Sequence, residues 1–199
     1  MTKEFKDVKD SGTRQEFGTG SVRDTADGKG SPHLLPGQAM NEIREGIRRH
    51  SIDYSSVDTV GELLDTMESN LFKFGIFSDY RTDKDVNLYS ACAGILRYIR
   101  FTDEDTHYCV MTRLGNHFNN GAKKYAKHNW RKGQPVSRYY DSAMRHLWKL
   151  MDNEQDEDHA GALLWNLVAL VQTRFDVDNS NLPSELGDFP STKQEVWGK

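Results

Sequence analysis

The chain has 199 residues, a net charge of −4, 36% hydrophobic and 28% charged residues, which suits one compact core with an elaboration and excludes a wholly disordered chain. The longest apolar run, within AGALLWNLVALV, is too short to span a bilayer and MTKEFKDVKD has no signal-peptide core, so the expected location is the cytoplasm. The negative balance argues against stable nucleic-acid binding, and Cys92 and Cys109, with no CxxC, argue against a zinc cage or disulfide framework and read as core residues of a reducing compartment.

Residues 1–37 are rich in Gly, Ser, Thr and Asp with little apolar periodicity, which predicts an extended arm. Inside it, GTGSVRDTADGKGSPHLLP carries Arg23 and Lys29 among glycines that would let backbone amides approach an anion, without the order of a P-loop. From Gln38 the period becomes helical. Met40, Ile43 and Ile47 form one stripe, and TVGELLDTMESNLFKF opens with Thr59 and Glu62 in capping-box positions before a second stripe. A third run, TDKDVNLYSACAGILRYIRF, starts at Thr82 or Asp83, and a fourth over 106–120 turns Val110, Met111, Leu114 and Phe118 inward. After Pro135, Ser137 is the expected cap of RYYDSAMRHLWKLM. The run DHAGALLWNLVALVQTRF is apolar on nearly every side and reads as the central core helix. Residues 176–199 read as a loose tail with room for one docked aromatic. The expected fold class is all-α, a helical bundle with an extended N-terminal arm.

Charge is unevenly spread. Between Gly121 and Lys149 there are eight Lys or Arg (123, 124, 127, 131, 132, 138, 145, 149) against Asp141 alone, and DNEQDEDH then places five carboxylates in eight residues. Such a sequence can be a solvated face with a charged turn. It also supplies what a metal-assisted phosphate site needs: cations for oxyanions, and carboxylates for a divalent ion. In GAKKYAKHNWRKGQP, bases are interleaved with rings, a composition that suits a ligand with both phosphate and base.

Two helices joined by the short acidic turn should pack antiparallel and bring His146 near His159. Asp141, His146, Asp156, Asp158 and His159 then have the residue types for a divalent ion and an activated water. The bland readings are a surface ion pair for Asp141 with Arg145, and structural hydrogen bonds for His159 and Asn166, which share one side of their helix. Glu42 and Glu45, then Glu62 and Asp65, fit the E-x-x-E and E-x-x-D scheme of MazG-like magnesium pyrophosphohydrolases. Glu62 and Asp65 lie on the polar side of an amphipathic helix, so a solvated face is the preferred reading there.

FGTGSVRDTADGKGSPHLLP, GAKKYAKHNWRKGQPVSRYYDSAMRHL and EDHAGALLWNLVAL together resemble the signature blocks of the phage-type dATP/dGTP diphosphohydrolase N-terminal domain family. In that family the first block leads through a short helix directly to the second. Here residues 41–110 intervene and read as a helical insertion, which divides the chain into an arm (1–37), a helical segment (38–110), a signature core (111–175) and a tail (176–199). The resemblance implicates Arg23, Asp24 and Lys29 in the arm, and Lys123, Lys124, Tyr125, Asn129, Trp130 and Lys132 in the loop. It further implicates Asp141, Arg145, His146, His159 and Asn166.

The activity implied is that of a nucleoside triphosphate pyrophosphohydrolase, with Mg²⁺ (or Mn²⁺) assisting cleavage of a purine deoxynucleoside triphosphate to monophosphate and pyrophosphate. Asp141, Asp156, Asp158 and His159 would hold the ion, His146 or His159 would position or deprotonate water, and Lys123, Lys124 and Arg145 would offset charge on the leaving group. Trp130 would stack on the base. A homo-oligomer in the cytoplasm of a phage's bacterial host is also implied. Two alternatives use the same residues: a phosphohydrolase releasing triphosphate, and a nucleotide-sequestering phage protein without hydrolysis.

Overall fold

A computed structural model of the protein describes residues 12–24, 31–76, 85–102 and 107–189. Six helices make up most of it: α1 (Gly37–Arg49), α2 (Val60–Ile76), α3 (Val86–Thr102), α4 (His107–Lys124), α5 (Val136–Met151) and α6 (His159–Asp178). The all-α expectation holds. Strands β1 (Arg14–Glu16) and β2 (Val22–Asp24) pair antiparallel in the arm, with Arg14 opposite Asp24. Gly20, at φ +79°, makes the left-handed step of their turn and donates its N–H to the Phe17 carbonyl.

Helix α6 is the axis of the molecule. It is buried at every position from His159 to Thr173 except Trp165, because α1, α3, α4 and α5 all pack on it. A single apolar core runs from Leu34 and Ile43 through Leu71, Ile95 and Leu114 to Leu147 and Leu167. Helices α2 and α3 pair with each other and dock on α5 and α6 respectively. Gly94 permits a close α2–α3 approach, since a Cβ there would lie 2.4 Å from Met67. Cys92 is buried and unpaired in this core, whereas the side chain of Cys109 lies outside the described residues.

Local chemistry explains the helix ends. Thr59 Oγ1 accepts from the Glu62 N–H at 3.2 Å, the anticipated cap of α2, while the proposed start at Thr82 or Asp83 lies outside the described residues. The Ser137 cap is a correction. Helix α5 opens at Val136, which puts Ser137 inside its first turn, and the Ser137 N–H and Oγ donate to Asp188 at 2.9 and 2.6 Å. The described part of the tail carries one docked aromatic, Phe189, lying 4.4 Å from Tyr140 and 6.0 Å from Phe74 between ring centroids. The first turn of the anticipated basic loop is helical, because α4 runs on to Lys124.

Among the described residues, no helix is long and apolar enough to cross a membrane.

Candidate functional site

A cavity of about 850 Å³ opens between α4, the loop after it, α5 and the first turns of α6, a volume in the range of small-molecule sites. Leu34, in the 3-10 turn Pro32–Leu34, contributes to its wall from the arm side. One side of the cavity is aromatic: Trp165 packs on His117 at 5.3 Å and on Phe118 and Tyr139 at 5.9 Å, and Trp130 meets Phe118 edge-on at 5.6 Å. Cations come from Lys124 at the end of α4 and from Arg138 and Arg145 on α5. The two arginines are seven residues apart, so they share the α5 face that carries His146.

The polar end of the cavity is the α5–α6 turn. The chain reverses over residues 152–158, helped by Asn153 at φ +56°, and the reversal sets the first residue of α6 beside the last turns of α5. His146 Nδ1 and His159 Nδ1 stand 3.1 Å apart. Glu157 Oε1 lies 3.4 Å from the former and 3.5 Å from the latter. On the far side of the second ring, His159 Nε2 is 2.6 Å from Asp156 Oδ1. An ionised carboxylate can only accept, so that hydrogen bond places the proton on Nε2 and leaves Nδ1 of the neutral ring bare toward His146.

Charge and burial tune these groups. Burial lowers the pKa of His146 below the usual histidine value, with His159, His117 and Arg145 adding to the effect and Glu157 opposing it. Burial lowers that of His117 as well. The ammonium of Lys149 beside Asp156 holds the Asp156 carboxyl down to about 2. At neutral pH His146 and His117 therefore stand on the cavity wall as neutral imidazoles, and Asp156 is a carboxylate.

Two nitrogen donors bound to one ion at about 2.0–2.1 Å each are separated by roughly 3 Å, which is the spacing found between His146 and His159. Two sets of three groups are close enough to share an ion among the described residues: His146, Glu157 and His159, and Glu154, Asp156 and His159. The first adjoins the cavity, because His146 and Glu157 also line it.

Residues 107–179 match the family model of the dATP/dGTP diphosphohydrolase N-terminal domain. Comparison with curated proteins and with solved structures gives no match. The diphosphohydrolase match takes in α4, α5, α6 and the turns between them, hence nearly the whole cavity wall, and leaves the arm and α1–α3 outside.

Within the matched segment, the structure brings together some of the anticipated residues and separates others. His146, Lys124, Tyr125, Asn129, Trp130, Arg145 and Asn166 line the cavity. Asn166 is 4% exposed and gives its amide N–H to the Ala162 carbonyl at 2.8 Å. His159 lies just behind the wall, 2% exposed. Asp141 is exposed, lines no part of the cavity and belongs to neither ion-competent group. On α5 it points to one side of the stripe formed by Arg138, Ser142, Arg145 and His146. Asp158 lines the cavity, but its carboxylate is engaged: it caps α6 by accepting from the Gly161 N–H at 3.0 Å and faces Arg113 at 3.4 Å, and it belongs to neither ion-competent group, whereas Glu157 belongs to one.

Lys123 and Lys132 are exposed and outside the cavity lining. Trp130 is already covered on one side by the Arg131 guanidinium at 5.3 Å, so the more open ring is Tyr125, 62% exposed. Arg23 is exposed on β2 and Asp24 ends that strand, while Lys29 lies outside the described residues. The four MazG-like positions do not assemble an ion site. Glu45 pairs with Arg48 at 2.7 Å, Glu62 and Asp65 are exposed, and none of the four belongs to an ion-competent group.

Sequence reasoning missed Glu157, His117, Arg138 and Trp165. Arg138 was available from its i, i+7 relation to Arg145. Asp158 stands immediately before the apolar run of α6 and is a favoured N-cap residue type, which was a sequence signal that its carboxylate would be engaged by the helix.

Proposed function

We propose that the cavity is the active site of a metal-dependent hydrolase that cleaves dATP or dGTP to the monophosphate and pyrophosphate. The observation that carries this reading is the His146–His159–Glu157 group at the polar end of a cavity whose lining is rich in cations and aromatic rings. The nucleotide base lies against the ring-rich side, Tyr125 and Trp165 in particular. Lys124, Arg138 and Arg145 pair with the phosphate oxygens and offset the charge that accumulates on the departing pyrophosphate as the bond from the α-phosphorus to its bridging oxygen breaks.

His146, His159 and Glu157 would hold the ion, which when bound supplies Lewis-acid polarisation of the phosphoryl group and a more acidic water. Two imidazoles with one carboxylate suit Mn²⁺ or another first-row ion better than Mg²⁺. His117, neutral because it is buried, can take a proton from the attacking water on the cavity side.

The test is incubation of the protein with each common deoxynucleoside and ribonucleoside triphosphate, with Mn²⁺, Mg²⁺ or chelator, and chromatographic resolution of products. Monophosphate plus pyrophosphate from dATP or dGTP is expected, with a loss of at least about 10²-fold in His146→Ala and Glu157→Gln. Release of intact triphosphate would replace this reaction with the alternative phosphohydrolase. Binding of nucleotide without turnover by any metal would make the chain a sequestering protein.

A further inference from the structure

The second ion-competent group, Glu154, Asp156 and His159, already contains a cation. The Lys149 ammonium, on the last turns of α5, lies 2.9 Å from Asp156 Oδ2 and 3.1 Å from Glu154 Oε2. The other oxygen of Asp156 is the one bonded to His159 Nε2 at 2.6 Å. Lys149, Asp156 and His159 thus form a line from solvent to the ring facing His146, with side-chain exposures of 35%, 58% and 1%. Exposed ion pairs contribute little to stability, so the consequence of this line is geometric. It keeps a carboxylate against Nε2–H, which fixes the tautomer and rotation of a buried imidazole whose Nδ1 faces His146.

Without the ammonium, Asp156 is free to turn into water. Alternatively, a second ion can settle between Glu154 and Asp156 and draw on the His159 Nε2 lone pair, which moves the ring proton to Nδ1 and removes that nitrogen from the cavity-side group. We infer that Lys149 and Asp156 are positioning residues of the ion centre: Lys149 fills the place of a second cation and holds Asp156 against His159, so that the chain binds one ion there. This rests on the reading of His146, His159 and Glu157 as ligands.

The experiment is a Co²⁺ titration of the full chain, read by the visible absorption of the bound ion and by equilibrium dialysis. Wild-type protein is expected to bind one Co²⁺. Lys149→Met and Asp156→Asn should each weaken binding about tenfold or more, and Lys149→Arg, which keeps the cation, should stay within a few-fold of wild type. Thermal melts show whether each variant is folded, and the isosteric Asp156→Asn carries the test if Lys149→Met is not. No Co²⁺ bound by the wild type would overturn the ligand reading itself. One ion bound equally well by wild type, Lys149→Met and Asp156→Asn would leave that reading standing and overturn the positioning role. Two ions bound by wild type would overturn the assignment of the second place to Lys149.

Discussion

Burial sets the protonation of the two histidines on the cavity wall, and this has a measurable consequence. His117 and His146 both have pKa values lowered from the unfolded value of 6.5. Above pH 6.5 neither state carries the extra protons, so stability is level. As pH falls below 6.5 the unfolded chain takes up protons that the folded histidines refuse, and stability declines until the depressed folded pKa values are reached. Metal-free protein should therefore show a lower melting temperature at pH 5.5 than at pH 7.5. His117→Phe, which keeps a ring against Trp165, should reduce that difference; a melting temperature flat across this range would refute the argument. The approach of His146 to His159 was legible in the sequence, since two helices joined by so short a turn have to run antiparallel. Glu157 was not, because five carboxylates in eight residues are equivalent in composition, and only the demand of the α6 N-terminus for a cap at Asp158 separates them.

At the scale of elements, the apolar period predicted every helix but could not reveal a cap that comes from elsewhere in the chain. Asp188 accepts from both the backbone and the hydroxyl of Ser137 at the start of α5, 51 residues away, while Phe189 anchors the segment on Tyr140 and Phe74. No local pattern records such a pairing. Asp188→Ala leaves those N-terminal donors to water and should cost about 0.5–2 kcal/mol, or roughly 2–4 °C in melting temperature for each kcal/mol in a chain of this size. Asp188→Asn, which can still accept, should lose less. Equal melting temperatures for Asp188→Ala and wild type would mean that Phe189 alone holds the tail. Because Arg138 and Tyr139 on this first turn line the cavity, the same cap steadies part of the site.

On the scale of the whole molecule, the stretch that reads as an insertion does not form a separate core. Leu63, Met67 and Leu71 of α2 and Leu88, Ile95 and Ile99 of α3 belong to the cluster that contains Leu163, Leu167 and Leu170 of α6. Polar contacts cross the same boundary, with Trp148 Nε1 donating to Glu68 at 2.8 Å and Tyr140 donating to the Leu71 carbonyl at 3.2 Å. Sequence spacing identified α2 as amphipathic and α3 as a helical run but could not say which surfaces they would cover. A shared core implies shared cooperativity. Trp130, Trp148 and Trp165, the tryptophans among the described residues, all fall after α3, so their fluorescence reports the cavity half of the chain, while far-ultraviolet circular dichroism reports all six helices. The two signals should trace one coincident urea transition. If α1–α3 were an independent unit, dichroism would fall in two steps, and fluorescence would follow only one of them. Coincidence would mean that the cavity walls built by α4–α6 persist only while α2 and α3 remain docked, which makes those helices part of the scaffold of the site although none of their residues lines the cavity.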